Sequence, residues 1–219
     1  MASIQDTFNR DNSVGLGLSS DSQFTWVAVI NDWDVVLNQA KGQNAAAINM
    51  VRTGFTLTND QSAQFDVITA TTSGVLIACR FDVNGGNHYG YFVENTTSGG
   101  GHDIILSKRV NGTLTVLGTT SPTLAAPETT KVEAIGTAIK SYYNGVQQSS
   151  AVDSDITGRS VREQAMRAGF GAAIVDNFSA TDVASGPTET AVTPRRGTGT
   201  LTGPAIYGLL LACIQFFRL

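Results

Sequence analysis

The run from Val75 to Gly118, VLIACRFDVNGGNHYGYFVENTTSGGGHDIILSKRVNGTLTVLG, constrains the fold more than any other stretch. Its segments alternate apolar and polar residues and are separated by Gly/Asn-rich turns. A period of two places alternate side chains on opposite faces of a strand. Asn111-Gly112 is the strongest kind of short hairpin signal. The run therefore reads as an antiparallel meander at the centre of a sheet protein. If Gly85-Gly86 is a two-residue turn, Asn84 pairs with Asn87. Counting outward, Asp82 faces Tyr89, Arg80 faces Tyr91 and Cys79 faces Phe92. This register predicts Cys79, Phe81 and Phe92 on an inward face, and Arg80, Asp82, Tyr89 and Tyr91 on an outward one. A slip of one residue would flip a strand.

The chain on either side has the same character. Strands are expected at Ile4–Asn9, Phe24–Ile30, Trp33–Leu37 and Gln64–Ala70, with a loop over Asn12–Ser22 and a turn over Lys41–Asn44. Ala45–Arg52 fits either a strand or one helical turn. Further strands follow at Lys131–Ile135, Ala138–Tyr143 and Val146–Val152, through turns at Gly136 and Asn144-Gly145. Ser160 and Glu163 have capping-box spacing, so SVREQAMRA is expected to form a short helix. Gly169–Ile174 and Val175–Thr181 close the domain as strands. Turn signals at this spacing imply a sandwich or barrel. Trp26 and Trp33 are expected in its core.

Composition narrows the class. The chain has 219 residues, enough for a sizeable core, with 23 glycines and only 15% charged residues. The formal net charge is -4 and no basic stripe appears, which argues against nucleic acid as a partner. Cys79 falls in an apolar strand, where a thiol packs as a small hydrophobe. The opening MASIQDTFNR has no apolar signal core, so synthesis and folding in a cytoplasm are expected. The sequons at Asn95, Asn111 and Asn177 then read as turn or strand residues.

After residue 183 the composition shifts. Residues 184–203 form a Pro/Gly/Thr linker. Residues 204–219, PAIYGLLLACIQFFRL, are the most apolar run of the chain, but shorter than the roughly 20 residues of a spanning helix. Ile206, Tyr207, Leu209, Leu210, Leu211, Ile214, Phe216 and Phe217 are the candidate anchor. Docking on other subunits of an assembly ranks first, a membrane second, and packing on the chain's own domain third. An oligomer is expected.

Three pieces together carry a resemblance: Asp6-Thr-Phe-Asn-Arg10 with a Trp soon after, the FDVNGGNHYGYFVE meander with its KRVNGTL hairpin, and KVEAIGTAIKSYYNGVQQ closing on GFGA and Val175-Asp-Asn-Phe-Ser179. Over about Ser3 to Val183 the chain resembles the concanavalin A-like (laminin-G-like) jelly-roll domains of phage particles and bacterial surface proteins. The resemblance implies an all-β sandwich of two antiparallel sheets with the first and last strands, around Phe8 and Phe178, adjacent. Asp153–Gly169 is longer than the compact turn this pattern carries. The resemblance further implies a possible calcium ion in the loops, with Asp6 and Asp176 as the chosen ligands among Asp6, Asp11, Asp153, Asp155 and Asp176. Solvated turn carboxylates are the competing reading.

Some jelly rolls of this class hydrolyse glycosides, which requires two carboxylates about 5–9.5 Å apart across the scissile bond. No Glu-x-Asp-x-x-Glu spacing occurs, and the remaining candidates are Glu94 and Asp82. A non-enzymatic role is expected. His88 and His102 sit beside Gly-rich turns and read as exposed loop residues, with no set of metal ligands around them. The candidate binding face is Arg80, Asp82, Tyr89 and Tyr91, with tyrosines to stack on sugar rings and charged groups to meet hydroxyls. The competing reading packs both tyrosines and leaves Arg80–Asp82 as a surface pair. The favoured role is a structural or decoration subunit of a phage particle, located in the virion, that displays a lectin-like domain. A carbohydrate-binding adhesin module is the alternative.

Overall fold

The computed structural model describes residues 1–44, 46–69, 74–84, 87–96, 102–123, 128–157, 162–169 and 173–184. The chain divides into two units, Met1–Ser185 and Gly186–Leu219. The second unit, with the anchor segment Pro204–Leu219, lies outside the described residues.

The first unit is all β. Its strands are β1 Ser3–Asp6, β2 Val27–Ile30, β3 Trp33–Val36, β4 Gln39–Gly42, β5 Asn49–Arg52, β6 Gln61–Thr69, β7 Val75–Asn84, β8 Asn87–Thr96, β9 Asp103–Val110, β10 Thr113–Thr120, β11 Glu128–Ile135, β12 Ala138–Tyr143, β13 Val146–Val152, β14 Glu163–Ala168 and β15 Ile174–Asp182. There is no helix among the described residues. An eight-stranded sheet runs β13-β12-β11-β6-β15-β4-β3, with β1 also on β15. A seven-stranded sheet runs β10-β9-β8-β7-β14-β5-β2. Every pairing between these strands is antiparallel. The two-sheet jelly-roll sandwich is thus the architecture, and its core lies between the sheets, with Trp33, Phe65 and Ile77 fully buried.

Local chemistry explains most boundaries. Asn111-Gly112 and Asn144-Gly145 adopt positive φ at both positions, the geometry that matches strand twist in two-residue hairpins. Three expectations fail. Lys41–Asn44 is not the turn, because β4 runs through Gly42 and the turn is Leu37-Asn38, with φ of 52° and 61°. Leu37 gives no turn signal. The expected helix at Ser160–Ala168 is instead β14, within its described part. That strand lies between β7 and β5 and is buried along most of its length, and sheet pairing overrides the local helical preference. Of the strand expected over Gly169–Ile174, Gly169 and Ala173 lie outside any strand and β15 takes up only Ile174, while residues 170–172 lie outside the described residues.

The first and last strands are neighbours: β1 pairs with β15 from Ser3↔Thr181 to Asp6↔Phe178. Asp6 fixes this closure. Its carboxylate is fully buried and accepts five hydrogen bonds, from the Phe8 and Ser20 amides, the Ser20 hydroxyl, Arg10 Nη1 and Trp26 Nε1. The Phe8 bond makes an Asx turn that ends β1, with Phe8 itself at φ 52°. Above it the rings of Trp26 and Phe178 meet edge to face at 4.9 Å.

The meander departs from its simple register at one place. Asn84 pairs with Asn87 and Asp82 with Tyr89, as counted, but Cys79 pairs with Tyr91 and Ala78 with Phe92. Arg80 and Phe81 together oppose Gly90, which is a β-bulge. Arg80 carries its strain, at φ 49°. The bulge changes the phase of the strand. Cys79 and Tyr91 therefore enter the core between the sheets, while Phe81 and Phe92 join Met50, Leu76, Ala78 and Ala165 in a second apolar cluster. Burial pushes the Cys79 thiol up to about 12, so it is an inert packing group.

Asp6 supports a direct prediction. Burial alone would raise its pKa, but the bonds from Arg10, Ser20, Trp26 and Phe8 outweigh burial and hold it below the usual carboxylate value. A depressed folded pKa adds stability that is present above the unfolded value of about 4 and is lost as pH falls through the folded value. Asp6→Ala should lower the unfolding free energy by about 3 kcal/mol or more, because it strands buried donors and the Arg10 charge. Urea titrations near pH 7 and near pH 3 check both statements. The variant should lose less stability on acidification than the wild type, and equal losses would contradict the assignment.

Candidate functional site

The structure separates the four residues expected on one face. Arg80 and Tyr91 are fully buried. Arg80 reaches across the sandwich: Nε donates to the Asn59 carbonyl at 2.6 Å and Nη2 to the Gly136 carbonyl at 2.8 Å, with Asp60 at 3.6 Å. Its guanidinium lies 5.7 Å from the centre of the Tyr91 ring. Tyr91 donates its hydroxyl to Asp153 Oδ1 at 2.7 Å, and burial followed by this bond pushes its pKa far up. The stack is internal, closed off from solvent. Tyr89 is half-buried and donates to Asn111 Oδ1 at the tip of the β9–β10 hairpin, at 3.1 Å. Asp82 lines an open pocket.

That pocket, of about 430 Å³, is lined by Ala28, Val29, Arg52, Asp82, Val83 and Glu163. It crosses β7, β14, β5 and β2, consecutive strands of the seven-stranded sheet. Arg52 Nη1 reaches both oxygens of Glu163, at 2.5 and 2.6 Å. The Glu163 side chain is nearly buried and that of Arg52 is one-third exposed. Arg52 and Glu163 went unnoticed in the sequence because they stand 111 residues apart and meet only through the pairing of β14 with β5. The one local signal at Glu163, its capping-box spacing, pointed to a helix.

Glu94 and Asp82, the candidate hydrolytic pair, are not partners. Glu94 pairs with Leu76, six residues before Asp82 along β7. At about 3.3 Å per residue this places them well over 10 Å apart, beyond the spacing either glycosidase geometry uses. Burial raises the pKa of Glu94, against the pull of Arg167 and Arg109.

Of the two aspartates chosen for calcium, Asp6 is already engaged by protein donors. Asp6 has both oxygens committed to the network above, and a cation would have to displace the Arg10 guanidinium. The pKa of Asp176 is raised by burial and by the charges of Asp66 and Asp6, against the bond from the Asn177 amide. Asp153 and Asp155 both bind Lys108, Asp155 at 2.5 Å. Among the described residues no three His, Cys, Asp or Glu side chains converge as metal ligands. His102 is not an exposed loop residue but is 4% exposed.

No protein-family model matches the chain, and no curated protein sequence matches it. Solved structures do. The chain is similar to the carbohydrate binding module CBM66 from Bacillus subtilis, at 17% identity and a TM-score of 0.56, over 73% of this chain and 98% of that one. It is similar to the Bacillus licheniformis beta-glucanase, at 14% identity and a TM-score of 0.53, over 84% and 99%. It is also similar to the CBM2 module of the evolved Dit of Lactobacillus casei BL23 phage J-1, at 10% identity and a TM-score of 0.50, over 82% and 95%. The likeness is one of fold, and the fold is the concanavalin A-like sandwich.

Proposed function

We propose that the domain is a non-catalytic glycan-binding module carried by a larger assembly, a phage particle or one like it. The observation that carries this reading is the Arg52–Glu163 pair, with Nη1 donating to both carboxylate oxygens, set beside Asp82 in a pocket of about 430 Å³. Fixed donors and acceptors over partly apolar ground, from Val29 and Val83, are what hydroxyl-bearing ligands require. One cation against two carboxylates favours neutral or amino sugars over polyanions. Similarity to a carbohydrate binding module and to a phage-borne CBM2 module supports the class of ligand and the setting. The distance between Glu94 and Asp82, and the engagement of both Glu163 oxygens by Arg52, support binding without hydrolysis. The apolar segment after the linker supplies the attachment to other subunits.

Binding of the full-length chain to an array of neutral and amino-sugar oligosaccharides tests the site. Arg52→Ala should weaken the best hit at least tenfold, about 1.4 kcal/mol, with the far-ultraviolet spectrum unchanged. Unchanged affinity, or no glycan bound at all, would remove the proposal, and turnover abolished by Glu163→Gln would replace it with a hydrolase. Sedimentation should find the full-length chain in a species larger than one 23.0 kDa protomer. A strict monomer would count against the assembly role.

A further inference from the structure

The face that carries the Arg52–Glu163 pocket has a second charged end. On it Leu76, Ala78, Phe92 and Ala165 turn away from the eight-stranded sheet, since they alternate with Val75, Ile77, Val93 and Met166 of the main core. Arg167 shares that side with Ala165, and Glu94 shares it with Phe92. Arg167, Leu76 and Glu94 stand in one cross-strand row over β14, β7 and β8. Arg109 points the same way from β9, two residues beyond Ser107, which pairs with Phe92. All three charged residues are half-buried. Among the described residues none of them has an ion pair, and Arg167 and Glu94 have no hydrogen bond either. Arg109 Nη1 donates to the Gly112 carbonyl at 3.1 Å, but its Nε is buried without a partner. Two guanidiniums thus stand against one carboxylate. Burial, and then the Arg109 charge, lowers the pKa of Arg167 against the pull of Glu94. Burying such a group without an acceptor is costly, and arginine does not escape by losing its proton.

We propose that this end of the face is a subsite for the carboxylate of an acidic sugar of the uronic acid class, with Arg167 as the residue that binds it and Arg109 adding positive field. The inference rests on the glycan reading of the Arg52–Glu163 pocket and names the sugar class next to it. A guanidinium presents paired donors in one plane, which match the two oxygens of a carboxylate. The charge balance sets the number of acids. Two cations against Glu94 leave one positive charge at this end, and Arg52 against Glu163 and Asp82 leaves one negative charge in the pocket. A chain with a single uronic acid among neutral or amino sugars matches both ends, whereas a polyanion meets repulsion in the pocket. Arg167 lies four residues from Glu163 along β14, roughly 13 Å, so one oligosaccharide reaches both. The sequence did not announce this subsite, because residues 94, 109 and 167 come to one face only through the strand order β9-β8-β7-β14.

The test titrates isotope-labelled full-length chain with sodium glucuronate, with glucose and with sodium sulfate at constant ionic strength, read by nuclear magnetic resonance at the arginine Nε–H signals. Glucuronate should shift the Arg167 signal saturably, and glucose and sulfate should shift it far less. Arg167→Gln should weaken glucuronate binding at least about tenfold, Arg109→Gln about threefold, and Glu94→Gln should tighten it about threefold, with Lys41→Gln without effect. Arg167→Gln should also keep or raise the melting temperature, since it removes a half-buried cation that no acceptor meets. Should that variant fail to fold, the responses of Arg109→Gln and Glu94→Gln decide. No shift, a shift shared equally by sulfate, or binding that survives loss of Arg167 would overturn the proposal. Glucuronate bound at Arg167 with no oligosaccharide bound on the array would remove only the glycan reading of the pocket. An array hit with no glucuronate bound would remove only this subsite.

Discussion

The guanidinium of Arg80 is the group on which the rest of this sandwich turns. It leaves a strand of the seven-stranded sheet and ends on carbonyls of the opposite sheet's connections, at Asn59 and Gly136, with Asp60 close by. Its own amide donates to Gln61 Oε1 at 3.0 Å, so main chain and side chain are tied to the same partner layer. A charge this deep is costly to bury, and the residue leaves the regular strand conformation so that Nε and Nη2 reach their acceptors, while Nη1 has no hydrogen-bond partner. The bulge is the conformational consequence, and the fully buried ring of Tyr91 beneath the guanidinium completes the arrangement.

From that bulge follows the sorting of the meander. Before it, odd-numbered residues of β7 enter the core, and beyond it Phe81 lies on the other side, against Phe92 at 6.1 Å. Asp82 then arrives beside Arg52 and Glu163 instead of beside Arg80 and Tyr91. The functional reading moves accordingly, from an aromatic face to a pocket with a fixed ion pair. Asp6 plays a comparable part at the other edge of the fold, where one buried carboxylate organises the chain between β1 and β2 and joins the first strand to the last.

Much of this was legible in the chain itself. The hairpins at Asn111-Gly112 and Asn144-Gly145 follow from residues that accept positive φ, alternation and turn spacing point to a sandwich or barrel, and the family resemblance implies the two-sheet form. The core placement of Trp26 and Trp33 held as well. What was not legible depended on partners distant in sequence. Arg80 looks like any outward arginine until Asn59 and Gly136 are placed around it. Residues Glu163–Ala168 carry helical preferences that only pairing with β7 and β5 defeats. Leu37 turns the chain with no turn residue's chemistry, because the pairing of Val36 with Gln39 leaves two residues for the link. The ion pair of Arg52 with Glu163 belongs to the same class, since it is assembled by strand order.

Hydrogen exchange of the full-length chain, with and without a bound oligosaccharide, tests the central claim most directly. Ligand contact in the pocket set by the bulge predicts new protection in peptides covering Val27–Ile30, Asn49–Arg52 and Glu163–Ala168, with the β9–β10 hairpin unchanged. Protection centred on Tyr89 and the Asn111 turn, or on the opposite sheet around Gln64 and Lys131, would contradict it.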